Sequence, residues 1–180
     1  VVRLVGSEMC IRDSYKARET PIEKIPMVIA RTGWSGELSY ELYLQDRKLG
    51  NELFEIVYEA AKEFNGAVIA PNTIRTIEGG LLSYGSDFGR EHSPYTIGLE
   101  RLIDLDQDID FIGKEALKRI NKAGLKEKLV GVELEGEPIL KVPENFWPVL
   151  DDKDTKIGRL SRCFYSPRLE KNIGLAIVDI

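Results

Sequence analysis

The chain has 180 residues, of which 43% are hydrophobic and 31% charged, with a formal net charge of −5. It contains no apolar stretch long enough to cross a bilayer, and its acidic balance offers no basic footprint for nucleic acid or an anionic membrane. Its two cysteines are too few for a disulfide framework and lack the spacing of metal ligands, so we expect no metal site and a reducing, cytoplasmic location.

The first 14 residues differ in character from the rest of the chain. The segment LVGSEMCIRDS at residues 4–14 resembles an adapter-like peptide translated at the ends of metagenomic gene sequences. We therefore predict a non-native leader at 1–14. The chain also starts without Met and stops at Ile180, inside a predicted strand, so we expect it to be the C-terminal part of a longer enzyme.

The segment RTGWSGELSYELYL at residues 31–44 carries the strongest local pattern. The preceding run, 27–30, predicts a buried strand, and two glycines within 32–36 permit a tight reversal with Trp34 at the tip of a hairpin. From Glu37 onward the two-residue period predicts a second strand. One of its faces is expected to be core and consists of Leu38, Tyr40, Leu42 and Leu44. The other face is expected to be polar and consists of Glu37, Ser39, Glu41 and Tyr43.

The polar face of this strand suits a flat, polar heterocycle. An ionised Glu41 carboxylate can accept two parallel hydrogen bonds from a donor pair such as the amino and ring N–H groups of a pterin. A neighbouring aromatic ring supplies a stacking surface. The pattern is also, and more commonly, that of an ordinary amphipathic strand with Glu41 in solvent and Trp34 packed on a nearby loop.

Two helices are predicted next. Apolar residues recur every three to four positions across 46–65, with Asp46 as the N-cap and Asn65-Gly66 as the stop; they are Leu49, Leu53, Val57, Ala60 and Phe64. A second helix is predicted over 73–82, where Gly79-Gly80 lowers helix propensity by about 1 kcal/mol per glycine. These glycines indicate either close approach of another group or a frayed helix end.

A group of acidic residues and a single histidine in the middle of the chain raise the question of a metal or catalytic site. Four aspartates alternate over 104–110 and, with Glu115, nearly fit a calcium loop, but Ile109 occupies the position that requires Gly. We predict a solvent-exposed acidic loop instead. The single histidine, His92, has no motif that supplies a nucleophile, so a surface position is predicted and no role is assigned.

The segment after a predicted hinge at 123–125 has the pattern of short strands. They are predicted at 129–134, 157–161 and 172–180, separated by proline-containing turns, and suit a small antiparallel barrel. Arg159, Arg162 and Arg168 form a basic cluster with Tyr165. This cluster either contacts a carboxylate of a ligand or lies in a solvated loop.

Residues from about 25 to 180 resemble the folate-dependent aminomethyltransferase family, the T protein of glycine cleavage and its relatives. Four ordered motifs carry the resemblance: RTGWSGE at 31–37, NTIRTIEGGLLSYG at 72–85, FIGKEAL at 111–117, and SPRL with NIGLA at 166–176. The resemblance implies an α+β fold. Residues 15–124 would form part of the folate-binding domain and 125–180 a truncated C-terminal β-barrel domain.

Within this family the chain most resembles the dimethylsulfoniopropionate demethylase branch. That branch combines Trp at the hairpin tip, Glu-x-Tyr on the next strand and a P-N-x-I-R segment, which here are Trp34, residues 41–43 and residues 71–75. In glycine-cleavage enzymes the helix opens A-R-D-T-L-R-L-E, and its first Arg falls on Asn72. That Arg helps to hold folate or substrate, so its absence favours the demethylase branch.

The resemblance also implies the site and the cofactor. Tetrahydrofolate would be bound by Glu41, Tyr43 and Trp34, and the partner would be a small-molecule methyl or aminomethyl donor. The groups that touch the transferred carbon come largely from the family's N-terminal half, so no catalytic residue is assigned, and the fragment is expected to be inactive alone.

Three functions remain open from the sequence. The first is methyl transfer from dimethylsulfoniopropionate to N5 of tetrahydrofolate, and the second is a glycine-cleavage aminomethyltransferase or amine demethylase. The third is a non-catalytic folate-binding maturation factor, whose branch carries K-G-C-[YF]-x-G-Q, a segment this chain lacks. The sequence determines neither the donor nor the oligomeric state.

Overall fold

The computed structural model describes residues 15–180, so the predicted leader at 1–14 lies outside the described residues. Contacts within the chain separate a first unit, ending at Asn72, from a second unit, Thr73–Ile180. Each unit combines helices with antiparallel strands, which confirms the predicted α+β class. The predicted domain boundary near residue 124 lies inside the second unit and stays a prediction. None of the helices between residues 15 and 180 has the length and apolar character needed to span a membrane.

The first unit is built on a three-stranded antiparallel sheet. Its strands are β1 (Ala17–Glu19), β2 (Met27–Ala30) and β3 (Glu41–Leu44), with β2 in the centre. Apolar side chains from β2 and β3 alternate onto one face and pack with loop and helix residues into a core. The core and its margin contain Ile22, Ile25, Met27, Ile29, Leu42, Leu44, Leu49, Leu53 and Ile56.

The predicted first helix is present, but it is shorter than its pattern indicated. A 3₁₀ turn, Arg47–Leu49, leads into helix α1 (Gly50–Lys62). Asp46 caps this turn, since its Oδ1 accepts a hydrogen bond from the Lys48 amide at 3.0 Å. Asn65 adopts a left-handed φ of 56° just after the helix, as expected of a helix stop.

The buried face of α1 differs from the predicted one. Leu53 is buried and Ile56 packs beside it, whereas Val57 is exposed. Phe64 is 78% exposed because it lies beyond the last helical residue and cannot continue the helical face. The apolar stripe therefore runs through the i, i+3 pair of Leu53 and Ile56.

The second unit begins with helix α2 (Thr73–Glu78), which ends before the glycine pair rather than at residue 82. Gly80 adopts a φ of 62°, and the Leu81 amide donates to the Thr76 carbonyl at 2.8 Å, which closes the helix. Of the two alternatives for Gly79-Gly80, the structure therefore shows a helix end. Helix α3 (Lys114–Ala123) follows a 3₁₀ turn at Glu100–Leu102.

The C-terminal part of the second unit is a four-stranded antiparallel sheet. Its strands are β4 (Glu127–Leu134), β5 (Trp147–Leu150), β6 (Lys156–Ser166) and β7 (Lys171–Asp179), in the order β4-β7-β6-β5. The three predicted strands are confirmed, and β6 continues five residues further than expected. β5 was missed because Pro148 suggested a turn, but an edge strand tolerates proline.

A small apolar cluster holds this sheet together. Leu160, Cys163 and Ala176 are buried at its centre and are surrounded by partly buried side chains from β4, β5 and β7. Cys163 has no exposed surface, and its burial raises the pKa of the thiol. The thiol therefore acts as a packing group rather than as a nucleophile.

Substitution of Gly158 in β6 is expected to destabilise the sheet. A Cβ at this position would collide with the Ile177 carbonyl oxygen and come within 2.9 Å of Val178 Cα, both in the backbone of β7. Gly158→Ala should therefore lower the free energy of unfolding by about 1–3 kcal/mol, the cost of overpacking. Urea unfolding followed by circular dichroism measures this difference.

Gly131→Ala in β4 is the matched control. Apart from Gly131 and its two chain neighbours, no heavy atom of the described chain lies within 4 Å of a Cβ built at this position, so the change should be within about 0.5 kcal/mol. Equal losses for the two variants would contradict the role of close strand approach at Gly158.

Candidate functional site

The candidate site is the loop that joins β2 to β3 together with the first residues of β3. The predicted strand begins at Glu41 and not at Glu37, and residues 31–40 form an irregular loop. Leu38, predicted to be core, is 70% exposed because it precedes the first paired residue of β3. The predicted alternation is correct from Glu41 onward, where pairing with β2 begins.

Close packing between Gly33 and Ser39 shapes the loop. A Cβ on Gly33 would overlap the Ser39 side chain, so only glycine permits this approach. The Ser39 hydroxyl donates to the Glu37 carbonyl at 2.8 Å and lies 2.9 Å from the Ser35 hydroxyl. These contacts close the loop upon itself and bring its two ends together.

The register of the hairpin places Glu41 and Tyr43 on the face opposite the core. Glu41 pairs with Ala30 and Tyr43 pairs with Val28, while the intervening Leu42 belongs to the core margin. The polar face predicted from the sequence is thus observed for these two residues.

Glu41 is the centre of a small hydrogen-bonded group. Its Oε2 accepts a bond from the Tyr43 hydroxyl at 3.2 Å and another from the Thr32 hydroxyl. Glu41 and Thr32 are half-buried, whereas Tyr43 is 52% exposed. Trp34 lies in the preceding loop, and 54% of its surface is exposed.

Thr32 is the residue of this group that the sequence did not indicate. It lies in the loop two residues after Ala30, the last residue of β2, and its hydroxyl reaches the Glu41 carboxylate at the start of β3. This contact can be derived only after the conformation of the loop is known.

The group can bind a ligand that donates hydrogen bonds. A half-buried carboxylate accepts strongly from N–H groups, and the ring of Tyr43, which is bonded to it and half-exposed, offers apolar surface for a flat molecule. The arrangement contains an acceptor and aromatic surface but no nucleophile activated by a base. It therefore fits binding rather than bond breaking.

A second polar cluster lies in the second unit and is centred on Arg162. Its Nε and Nη2 donate to the two carboxylate oxygens of Asp87 at 2.8 and 2.5 Å. Nη1 donates to Thr76 Oγ1 at 2.7 Å and Nη2 also to the Leu81 carbonyl at 2.8 Å. The Asp87 side chain has 0% exposure and that of Arg162 has 9%. The ion pair thus connects β6 with the end of α2 and the segment after it.

The three arginines predicted to form one basic cluster lie in three different environments. Arg162 is buried in its ion pair, so its assignment to a ligand or to a solvated loop is wrong. Arg159 lies 4.5 Å from the Phe146 ring centroid and donates to the Ser86 carbonyl at 3.3 Å. Arg168 is exposed, 3.5 Å from Glu78 Oε2. A shared carboxylate site is therefore not supported.

His92 and the acidic loop also have structural partners. The His92 side chain is only 5% exposed, which corrects the predicted surface position, and its Nδ1 accepts from the Gly89 amide at 2.9 Å. Asp104 Oδ1 accepts from the amides of Asp106 and Gln107, so it stabilises a turn. Across residues 15–180 no group of three or more His, Cys, Asp or Glu side chains is arranged to hold a metal ion.

Comparisons with known proteins match both units. Residues 12–107 match the GCVT N-terminal domain, and residues 127–180 match the glycine cleavage T-protein C-terminal barrel domain. The dimethylsulfoniopropionate demethylase DmdA of Ruegeria pomeroyi is 30% identical over 165 residues, which are 92% of the chain and 44% of that protein. An aminomethyltransferase of Thermoanaerobacter pseudethanolicus is 36% identical over 172 residues, which are 94% of the chain and 45% of that protein.

A solved structure shares the fold. The crystal structure of the glycine cleavage system aminomethyltransferase T from Bartonella henselae matches with a TM-score of 0.74 at 17% identity, over 93% of the chain and 45% of that protein. The chain therefore spans a little under half the length of the relatives it matches.

Removal of the buried guanidinium should strongly destabilise the second unit. Arg162→Met leaves the Asp87 charge buried without its partner, so we expect the free energy of unfolding to fall by about 3–5 kcal/mol. Arg168→Met removes an exposed arginine and should cost less than about 1 kcal/mol. Urea unfolding followed by circular dichroism compares the two variants. A loss at Arg162 no larger than the loss at Arg168 would show that the buried pair does not hold the fold.

Proposed function

Since the chain belongs to the glycine cleavage T-protein family, both of whose domains match it, we propose that the group around Glu41 binds tetrahydrofolate in a one-carbon transferase. Glu41, Tyr43 and Trp34 are the proposed cofactor-binding residues. The whole enzyme's activity belongs to the longer proteins of the family, of which this chain corresponds to the C-terminal part.

The observation that carries the proposal is the position of the Glu41 carboxylate. It lies half-buried on the sheet face opposite the core and is bonded to the hydroxyl of Tyr43. A reduced pterin carries amino and ring N–H donors on the edge of a flat ring system, which are the groups that a carboxylate beside aromatic surface recognises. Glu41 would anchor the pterin edge, Tyr43 would support the carboxylate, and Trp34 would form a wall of the site.

For the donor, we propose dimethylsulfoniopropionate. Its positive sulfonium makes the methyl carbon electrophilic; the N5 lone pair attacks that carbon, the C–S bond breaks with its electrons going to sulfur, and N5 releases its proton to solvent. The products are 5-methyltetrahydrofolate, a proton and a thioether whose sulfur is uncharged and whose carboxylate remains. Such a reaction needs alignment of donor and acceptor more than strong acid or base catalysis. The exposed ring of Trp34 suits a cation.

Two further observations favour this donor. The R. pomeroyi relative is named for it, and Asn72 stands where the glycine-cleavage pattern has Arg. The competing function is aminomethyl transfer, favoured by the greater identity of 36% to the T. pseudethanolicus aminomethyltransferase. Recovery of the upstream coding sequence would allow both donors to be supplied to one protein. Formation of 5-methyltetrahydrofolate from the sulfonium identifies the first function, and ammonia release from an aminomethyl-lipoyl donor identifies the second.

A non-catalytic maturation factor is not favoured. Cys163 stands in the segment RCFY, and its thiol has 0% exposure, so it cannot serve as a reactive cysteine at the surface. We further propose that the partner is a small-molecule donor and that the protein works in the cytoplasm, the latter from its low cysteine content.

Glu41→Gln should weaken tetrahydrofolate binding. Glutamine keeps the shape of the side chain but removes the charge that strengthens each N–H bond, so we expect a loss of about 1–3 kcal/mol, or about 5- to 150-fold in affinity. Binding can be followed by fluorescence quenching in a Trp147→Phe background, in which the emission comes from Trp34.

Glu37→Gln is the matched control. Glu37 is an exposed carboxylate of the same loop, and we expect its change to alter affinity less than about twofold. Circular dichroism confirms that each variant is folded. Equal losses at both positions would contradict the assignment of the pterin edge to Glu41, and a folded wild-type chain without saturable quenching would contradict folate binding by this chain.

A further inference from the structure

We propose that Thr32 is a positioning residue for Glu41, and that it leaves Oε1 of Glu41 as the oxygen to which the ligand's N–H groups bond. The inference rests on the proposed folate site and deepens it, because it names the atom that the ligand uses and the residue that determines this choice.

The hairpin register brings the Thr32 hydroxyl to the carboxylate. Ala30, the last residue of β2, lies directly opposite Glu41, and Thr32 follows it by two residues in the loop. The Thr32 hydroxyl donates to Glu41 Oε2. Threonine is branched at Cβ, so few rotamers are open to it and the hydroxyl has a defined direction. The contact between Gly33 and Ser39 holds the loop immediately beyond Thr32.

The hydroxyl groups of Thr32 and Tyr43 both donate to the same carboxylate oxygen of Glu41, Oε2. A carboxylate oxygen has two lone pairs, and Oε2 receives one bond from Thr32 and one from Tyr43. Within residues 15–180, the hydrogen bonds to this carboxylate all end on Oε2. Oε1 keeps both of its lone pairs for incoming donors.

This distribution changes the predicted mode of ligand binding. A parallel pair of N–H bonds, one on each oxygen, would require a third bond on Oε2. The amino and ring N–H groups of a pterin therefore both bond to Oε1, which has two acceptor sites. A ligand that reached Oε2 would have to displace one of these hydroxyls, and the Tyr43 bond of 3.2 Å is the more exposed of the two.

The hydroxyl of Thr32 also prepares the site before the ligand arrives. A free glutamate side chain samples several rotamers, and binding must select one of them at an entropic cost. The bonds from Thr32 and Tyr43 hold the carboxylate in one orientation in the unliganded chain, so less freedom is lost when the ligand binds. Thr32 acts through Glu41 and need not touch the ligand itself.

Two substitutions at Thr32 test the proposal in the 180-residue chain. Thr32→Val keeps the branched shape and removes the hydroxyl, and it should weaken tetrahydrofolate binding about two- to twelve-fold, the range for one hydrogen bond. Thr32→Ser keeps the hydroxyl and should stay within about twofold of wild type. Tyr43→Phe keeps the ring but loses the longer bond, so its loss should be smaller than that of Thr32→Val.

A second measurement does not depend on folate. Three-bond couplings in a chain with labelled glutamate report the χ1 rotamer of Glu41. We expect one dominant rotamer in wild type and Thr32→Ser, and rotamer averaging in Thr32→Val. A role of Thr32 limited to loop stability would instead appear as a lower urea midpoint for Thr32→Val, with the couplings of Glu41 unchanged.

The outcomes separate this inference from the proposed function. If wild type binds folate and Glu41→Gln weakens binding, but Thr32→Val binds as tightly as wild type, the folate site stands and the positioning role is overturned. If the folded wild-type chain does not bind folate, the proposed function and the ligand's use of Oε1 both fail. Averaged Glu41 couplings in wild type overturn the positioning role in either case.

Discussion

The register between β2 and β3 is the constraint on which the candidate site depends. Side chains alternate between the faces of a strand, so a shift of one residue would turn Glu41 towards the core and Leu42 towards the polar face. Packing of Leu42 and Leu44 beside Met27, Ile29 and Leu53 opposes that shift. The hydrophobic core of the first unit therefore determines the orientation of a carboxylate that it does not contact.

The irregular loop contributes as much to the site as the strand does. If β3 had begun at Glu37, as the sequence predicted, Thr32 would have belonged to a regular pair of strands and not to a loop. The actual loop closes through the contact of Gly33 with Ser39, and Thr32 donates to the first residue of the strand. Its position links backbone packing at a glycine to the orientation of the carboxylate at the start of β3.

The two polar clusters illustrate different uses of charge. Around Glu41, a carboxylate is half-buried and its donors leave acceptor capacity for a ligand. Around Arg162, each nitrogen of the guanidinium donates to a protein acceptor and the paired Asp87 has no exposed surface. A charged group with all of its partners in the protein stabilises structure, because a ligand would have to replace bonds that are already made.

The sequence by itself determined the features that depend on near neighbours: the strand at 27–30, the alternation of 41–44, the Asp46 cap, and the motifs that indicate the family. Local periodicity reports on such features because each needs only the residues beside it. Tertiary structure alone decided the burial of Arg162, whose partner Asp87 is 75 residues away, and the contact between Thr32 and Glu41. The same arginine is consistent with a solvated cluster or a buried pair until packing supplies the carboxylate, because burial depends on residues that are distant in the chain.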